Sequence, residues 1–352
     1  MKSRGLHFLL CLLISGATAV PAAADMWYAG AAIRHMQWGF IDTTGKMVIE
    51  PRFDDVLSFR EDLAAVEINK KQGYIDRSGK IVIPPQFERT FGFLEGLALI
   101  SNGIFGLIDR GGNLAVNLSV QLPLQIIYNF SEGLAPMQSG GKWGYLDRRG
   151  KIAAPPQFTY AGSFAAGLAA VGLGDKRGFI DKSGKMVIEP RFSRAWGFSE
   201  GLAAVEINRL WGYIDKLGKT VIPPQFYEAG AFVEGLAIVK MTFEDKQGFI
   251  DRTGKMVIPP RYSWARPFSE GLAPVREEPA SADFYIDKTG TVAIKGPFAL
   301  AGNFSQGLAA VMVDRKFGYI DKTGAMVIPP QFDDAKAFSG GLAAVGFKTR
   351  AN

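Results

Sequence analysis

A four-residue motif, glycine-aromatic-isoleucine-aspartate with small variations, recurs through this chain at a nearly constant interval. The steps between successive aspartates are 34, 33, 38, 34, 34, 36, 36 and 34 residues. The nine aspartates are Asp42, Asp76, Asp109, Asp147, Asp181, Asp215, Asp251, Asp287 and Asp321. A fixed period of this length is the signature of a repeat architecture, in which each unit buries its apolar face against its neighbours. We therefore expect one continuous array and not two or three independent domains.

The motif leads into a turn and a hairpin. In Asp181-Lys182-Ser183-Gly184 the spacing predicts a type I turn, with the aspartate accepting hydrogen bonds from backbone amides and the glycine at positive φ. Short apolar runs on both sides of the turn indicate two strands. A proline pair then follows, such as Pro223-Pro224, and we expect it to end the second strand because proline donates no backbone hydrogen bond.

A glycine-leucine-alanine-alanine-valine block completes each unit and is expected to form a third strand. No window has the sustained periodicity of a long helix, although residues 227–231 leave room for a single helical turn. Two units depart from the pattern: residues 113–128 lack the proline pair, and residues 295–298 read Lys-Gly-Pro-Phe in its place. Such irregular units mark either a bend or a specialised surface.

The predicted fold is all-β, with nine three-stranded antiparallel units in one array over residues 25–352. Propeller blades usually carry four strands over about 40–45 residues, so we expect an open β-solenoid or superhelix, with a closed propeller-like ring as the alternative. Residues 31–35 resemble a third strand that would cap the first unit. The units begin near Trp38, Gln72, Phe105, Trp143, Arg177, Trp211, Gln247, Asp283 and Phe317.

Tryptophan and glycine are adjacent at Trp38-Gly39, Trp143-Gly144 and Trp211-Gly212, and the turn and proline blocks follow at fixed spacing. In these features the units resemble those of the WG-repeat family of bacterial proteins. Other residues replace the tryptophan in most units. The resemblance covers about residues 27–347 and implies a β-rich repeat with a binding role, without an assigned catalytic residue.

The N-terminus has the layout of a secretory signal peptide over residues 1–24. A short basic region precedes an apolar run, and small residues precede an expected cleavage between Ala24 and Asp25. The run is shorter than the roughly 20 residues that a membrane span needs, so we expect no stable span after cleavage. These features predict an exported protein, either periplasmic or secreted. The sole cysteine, Cys11, lies within the signal, so a mature chain would have no disulfide.

Composition argues against several classes of function. Removing Lys2 and Arg4 leaves 38 basic residues against 34 acidic ones, a net charge of about +4, and no basic block suggests nucleic-acid binding. His35 is the one histidine outside the signal. The aspartates stand singly, and the glutamates recur as equivalent turn residues expected to be solvated, so we predict no metal, no cofactor and no catalytic residue. The glutamates are Glu61, Glu95, Glu132, Glu200, Glu234 and Glu270.

Two aromatic residues outside the repeated blocks, Trp196 and Trp264, are the candidate interaction surface. Each either packs against the next unit or offers an exposed platform to a sugar or a peptide. We therefore predict a non-catalytic binding or scaffold protein of the cell envelope with a protein or glycan partner. The alternatives are an exported polysaccharide enzyme with paired carboxylates in a groove and a purely structural spacer.

Overall fold

Nine antiparallel four-stranded sheets make up the part of the chain that the computed structural model describes, residues 36–119, 123–278 and 282–349. Eight sheets use four consecutive strands. The ninth joins the two ends of the chain, because β1 (Met36–Asp42) pairs with β36 (Leu342–Lys348) over seven residue pairs. The sheets therefore close into a ring, and the fold is a nine-bladed β-propeller.

The prediction of an open array of three-stranded units is wrong. Each blade has one more strand than expected. This additional strand is the first of the blade and is two residues long in eight of the nine blades. Because it is so short, about 34 residues make a complete four-stranded blade. The place beside β1 that residues 31–35 were expected to take belongs to β36. Those residues, and the predicted signal peptide over residues 1–24, lie outside the described residues.

The blades are numbered 1–9 along the chain from Asp55, so that blade 9, made of β35, β36, β1 and β2, is the one that closes the ring. In each blade a tight turn connects the first strand to the second. The first strands are β3 (Asp55–Val56), β7 (Arg89–Thr90), β11 (Leu124–Ile127), β15 (Tyr160–Ala161), β19 (Arg194–Ala195), β23 (Glu228–Ala229), β27 (Trp264–Ala265), β31 (Leu300–Ala301) and β35 (Asp334–Ala335). The second strands are β4 (Ala64–Ile68), β8 (Ala98–Ser101), β12 (Leu134–Ser139), β16 (Leu168–Leu173), β20 (Ala203–Ile207), β24 (Leu236–Lys240), β28 (Ala273–Arg276), β32 (Leu308–Val313) and β36.

The third and fourth strands form the predicted hairpin around the aspartate turn. The third strands are β5 (Lys71–Ile75), β9 (Phe105–Ile108), β13 (Lys142–Asp147), β17 (Lys176–Asp181), β21 (Leu210–Ile214), β25 (Gln247–Asp251), β29 (Asp283–Ile286), β33 (Lys316–Asp321) and β1. The fourth strands are β6 (Ile81–Phe87), β10 (Leu114–Asn117), β14 (Ile152–Phe158), β18 (Met186–Phe192), β22 (Thr220–Phe226), β26 (Met256–Tyr262), β30 (Val292–Phe298), β34 (Met326–Phe332) and β2 (Met47–Phe53).

The first strand lies at the inner edge of the ring. Neighbouring blades touch at the first strand and in the turn that follows it: the Lys336 Nζ, just after β35, donates to the Val56 carbonyl of β3, and the Ser339 hydroxyl donates to the Phe59 carbonyl, both at 2.8 Å. Inner edges converge in a ring whereas outer edges diverge, so these contacts between corresponding segments identify the inner edge. The fourth strand forms the rim, where Val187 is 43% exposed.

The apolar core lies between blades. One cluster joins Tyr213 and Phe226 of blade 5 to Phe232 and Val239 of blade 6, and the Tyr213 and Phe232 rings are 4.8 Å apart. The Tyr213 hydroxyl also donates to the Gly230 carbonyl of blade 6 at 2.8 Å. Neighbouring units thus share their interior, as the predicted stacking required.

The prolines do not end the strand, contrary to the sequence prediction. β22 runs through Pro223 and Pro224 to Phe226, because a rim strand has one unpaired edge where a missing N–H is tolerated. The predicted helical turn is also wrong, since β23 occupies that segment.

A close backbone approach explains the glycine of the repeat motif. A Cβ on Gly212 would lie 2.5 Å from the Ile222 carbonyl oxygen of the fourth strand, whose register is irregular there. In blade 7 the corresponding residue is Phe284, and the glycine is on the fourth strand instead. A Cβ on Gly296 would collide with the Asp283 carbonyl. The irregular sequence at residues 295–298 therefore preserves the same close contact.

Candidate functional site

The ring has two different faces. The turns between first and second strands and between third and fourth strands share one face, here called the turn face. The opposite face, here called the loop face, carries the connections between second and third strands and the links between blades. This division follows from the antiparallel order of each blade.

The turn face is occupied by contacts that hold the ring together. The Asp181 Oδ1 accepts from the Ser183 amide at 2.9 Å, and Gly184 has a φ of 83°, which confirms the predicted turn. The repeated glutamates are not simply solvated. Glu200 Oε2 accepts from the Gly235 amide of the next blade at 3.0 Å.

Among the described residues, no group of three or more potential metal ligands occurs, and no helix is long and apolar enough to cross a membrane.

A cross-strand set of residues near the loop face varies from blade to blade. It takes one residue from each of the first three strands, on the side that faces the next blade, and we call it the variable row. In blade 5 the row is Arg194, Glu206 and Trp211. In blade 7 it is Trp264, Arg276 and Asp283. The partner on the fourth strand is a phenylalanine or tyrosine in eight blades, so the variation is confined to the inner part of the sheet.

Trp196 lies just after the first strand of blade 5. Its ring stacks on Trp211 of the row at 5.7 Å between centroids and 5° between planes. Trp211 is buried, whereas Trp196 is half-buried. Trp196 therefore packs within its own blade through one face and leaves part of its surface open to solvent.

Trp264 occupies the row of blade 7 and has two arginines over its ring. The Arg266 guanidinium carbon is 5.1 Å from the ring centroid, and that of Arg276 is 5.9 Å from it, within cation–π range. Trp264 is two blades from Trp196, with blade 6 between them, so the structure does not bring the two predicted site residues together.

Asp283 is a fully buried carboxylate in the same row. Its Oδ1 accepts from the Arg276 Nε at 2.7 Å, and its Oδ2 accepts from the Ala301 amide of blade 8 at 2.8 Å. Burial raises the pKa of Asp283 above its usual value, and the hydrogen bond from Arg276 opposes this rise. Both oxygens are thus engaged by the protein itself.

Arg266 is less well satisfied. Its Nε is buried and has no hydrogen-bond partner among the described residues, and burial lowers the pKa of its guanidinium. Sequence reasoning singled out neither Arg266 nor Arg276, because a single arginine in or next to a strand is typical of a solvated surface. Aligning the nine copies at the variable row and at the position after the first strand would have exposed both residues.

A protein-family model described as "WG containing repeat" matches this chain in nine segments, residues 38–71, 73–103, 105–143, 143–176, 178–211, 211–242, 248–278, 284–317 and 317–346. The chain belongs to the WG-repeat family. The resemblance read from the sequence is confirmed, and the nine matched segments correspond to the nine copies of the WG-repeat motif. A comparison with curated proteins finds no significant match.

Solved structures resemble this WG-repeat protein only distantly. A crystal structure of a eukaryotic initiation factor matches with a TM-score of 0.58 and 10% identity, over 88% of this chain and 98% of that one. Virginiamycin B lyase from Staphylococcus aureus matches with a TM-score of 0.36 and 13% identity, over 69% and 96% of the two chains. PorZ, a surface component of the Porphyromonas gingivalis type-IX secretion system, gives 0.31 and 12%, over 83% and 50%. The likeness to the initiation factor concerns the fold alone.

Proposed function

We propose that this protein is a non-catalytic binding or scaffold protein of the bacterial cell envelope. In this proposal the loop face and inner edge of the propeller hold a protein or glycan partner. The envelope address rests on the predicted signal peptide over residues 1–24 and on the predicted absence of cysteine after cleavage. It makes the protein periplasmic or secreted.

The variable row is the observation that carries the binding role. The repeated parts of each blade serve the fold: the turn aspartates order their own hairpins, the glutamates bridge blades and the large aromatics fill the core. The row departs from this regularity and places half-buried aromatic rings and cations on the same side of the sheet, as in Arg177 over Tyr160 at 3.7 Å. Tryptophan, tyrosine and arginine are the residues that dominate recognition surfaces.

The rival interpretations make different demands on the structure. A retaining or inverting glycosidase needs two carboxylates about 5–9.5 Å apart in one cleft, and among the described residues Asp283 is the one fully buried carboxylate. Its oxygens are bound by Arg276 and a backbone amide. A pure spacer calls for a uniform surface, whereas the row differs in every blade. Both observations support binding over the alternatives.

The test is capture of a partner by the mature chain from an envelope extract, read by mass spectrometry. Trp196→Ala and Trp264→Ala should each weaken capture of at least one specific component, because each removes a half-buried ring of the loop-face side. Leu217→Ala is the matched control, since this residue is 87% exposed in a turn-face hairpin. If the parent chain and all three variants captured the same components equally well, the proposed surface would be wrong.

A further inference from the structure

Two junctions of the ring carry a cation at the same position, directly after the first strand. At the junction of blades 9 and 1 this cation is Lys336. Its Nζ donates to the Val56 carbonyl at 2.8 Å, lies 3.9 Å from the Asp55 carboxylate of blade 1 and stands 5.0 Å from the Trp38 ring centroid. Lys336 thus links blades 9 and 1, and the Asp55 carboxylate on the first strand of blade 1 is its counter-charge.

At the junction of blades 7 and 8 the equivalent cation is Arg266. The backbone places it in the same way, since its amide donates to the Pro274 carbonyl as the Lys336 amide donates to the Ala344 carbonyl. The residue of blade 8 that corresponds to Asp55 is Leu300, which is 44% exposed. The counter-charge present at the other junction is therefore replaced here by an apolar side chain.

The local charges leave an excess of one positive charge. On this side of blade 7 stand two guanidinium groups, those of Arg266 and Arg276, and one carboxylate, that of Asp283. Glu277, the residue after β28, interacts electrostatically with Tyr262 of blade 6, so it lies on the side of blade 6. Asp283 has both oxygens engaged by Arg276 and blade 8. The Arg266 Nε is one of four buried side-chain polar atoms without a hydrogen-bond partner among the described residues. The other arginine among them, Arg148, is paired with the Glu95 carboxylate.

We propose that the junction of blades 7 and 8 at Arg266 binds an aspartate or glutamate side chain of an acidic segment in a partner protein. The ligand carboxylate takes the role at Arg266 that Asp55 has at Lys336. A guanidinium binds a carboxylate through paired, charge-assisted hydrogen bonds, which are about twice as strong as neutral ones. This inference rests on the proposed function and names the chemistry of the partner.

A protein partner fits this junction better than a glycan does. The Trp264 ring already has two guanidinium groups over it, so a pyranose would compete with these cations for the ring. The exposed Leu300 offers apolar contact to the aliphatic stem of an acidic side chain and no hydrogen-bonding group to a sugar hydroxyl. Trp264 and Arg266 are also the residue types that most often dominate protein–protein recognition.

The experiment measures binding of a fluorescently labelled hexaglutamate peptide to the full mature chain by fluorescence anisotropy at low ionic strength. Arg266→Gln should weaken binding at least about tenfold, since a hydrogen bond to a charged group contributes about 1.5–3 kcal/mol. Leu300→Asp should weaken it similarly, because it supplies an internal carboxylate to Arg266. Leu300→Asn has nearly the same shape without the charge and should retain binding. Arg315→Gln, at an exposed loop-face arginine of blade 8, controls for general surface charge.

Four results would overturn the inference: no binding by the parent chain, equal losses in Arg266→Gln and Arg315→Gln, unchanged binding by Leu300→Asp, or tighter Arg266-dependent binding of oligogalacturonate. The last result would make the junction at Arg266 a glycan site. Circular dichroism melts of each variant separate loss of binding from loss of fold. If only this inference fails, Trp264→Ala still loses the envelope partner while Arg266→Gln captures it normally. If the proposed function fails, no variant changes capture.

Discussion

Removal of the last strand tests the closure of the ring. A chain that stops after Gly341 lacks β36, which pairs with β1 from Met36↔Lys348 to Asp42↔Leu342. β36 buries Leu342, Ala343, Ala344 and Val345 almost completely. The strand thus supplies both the hydrogen-bond ladder of blade 9 and part of the core between blades 8 and 9.

The expected loss of stability is large. Burial of the leucine and the valine contributes about 1.5–3 kcal/mol each, and the two alanines bring the apolar total to about 5 kcal/mol. The ladder hydrogen bonds between β36 and β1 add about 1 kcal/mol each. The sum is comparable with the ~5–15 kcal/mol that separates a typical folded domain from its unfolded state. We therefore expect the truncated chain to lose its cooperative thermal transition or to melt far below the full chain.

Thermal melts by circular dichroism and the radius of gyration from small-angle scattering are the measurements. The control is a circular permutant in which Lys348 is joined to Met36 by a short linker and the chain is opened at the blade 4 loop between Gly174 and Asp175. It keeps every strand pair and should stay closed with a similar midpoint. If the truncated chain melted and scattered like the full chain, the argument that closure stabilises the ring would be wrong.

Three further outcomes are expected. Gly212→Ala should lower the free energy of unfolding, measured in urea, by about 3 kcal/mol, because the added Cβ would lie 2.5 Å from the Ile222 carbonyl oxygen. The control is Gly197→Ala, where the added Cβ would have its nearest neighbour at 3.8 Å, and this variant should leave the free energy of unfolding unchanged or raise it slightly. Tyr213→Phe should cost about 1 kcal/mol in the same assay, because it leaves a carbonyl of the next blade unpaired. Asp181→Ala should lower the melting temperature at neutral pH. The neighbouring serine hydroxyl, followed by backbone amides, holds the pKa of Asp181 below its usual 3.8, so this difference should persist above pH 3.8 and vanish as the pH falls through the lower folded-state pKa. A pH-independent difference would contradict the role of the ionised carboxylate.

The sequence predicted the repeating parts of the fold because they repeat. The hairpin around Asp181, the positive φ of Gly184 and the strand from Ala203 follow from local rules on turns and alternation. The first strand escaped prediction because two residues, such as Arg194 and Ala195, are too short to show any period. Ring closure escaped it because the pairing of β1 with β36 is a contact between chain ends, which no local pattern encodes.

The candidate site was predictable in part. Trp264 stood out because it lies off the repeated blocks, and the structure places it on the variable row. Arg266 and Asp283 did not stand out, since their environment depends on the register of strands and on the next blade. Asp55 in blade 1 and Leu300 in blade 8 occupy corresponding positions. That Leu300 deprives Arg266 of a counter-charge is visible only when the two blade junctions are compared in the folded ring.

The pairing of Met36 with Lys348 has a practical consequence for handling the molecule. Met36 and Lys348 are paired at the loop-face ends of the third and second strands of blade 9, so both ends of the described chain lie at one place on the loop face, in the middle of that blade. A fusion, a label or a surface attachment at either terminus would therefore suspend the propeller from blade 9 and crowd its nearest loops. Arg266, in blade 7, is two blades away from that place, so immobilisation through a flexible tether leaves Arg266 accessible, whereas a bulky fusion partner covers the loops next to blade 9 first.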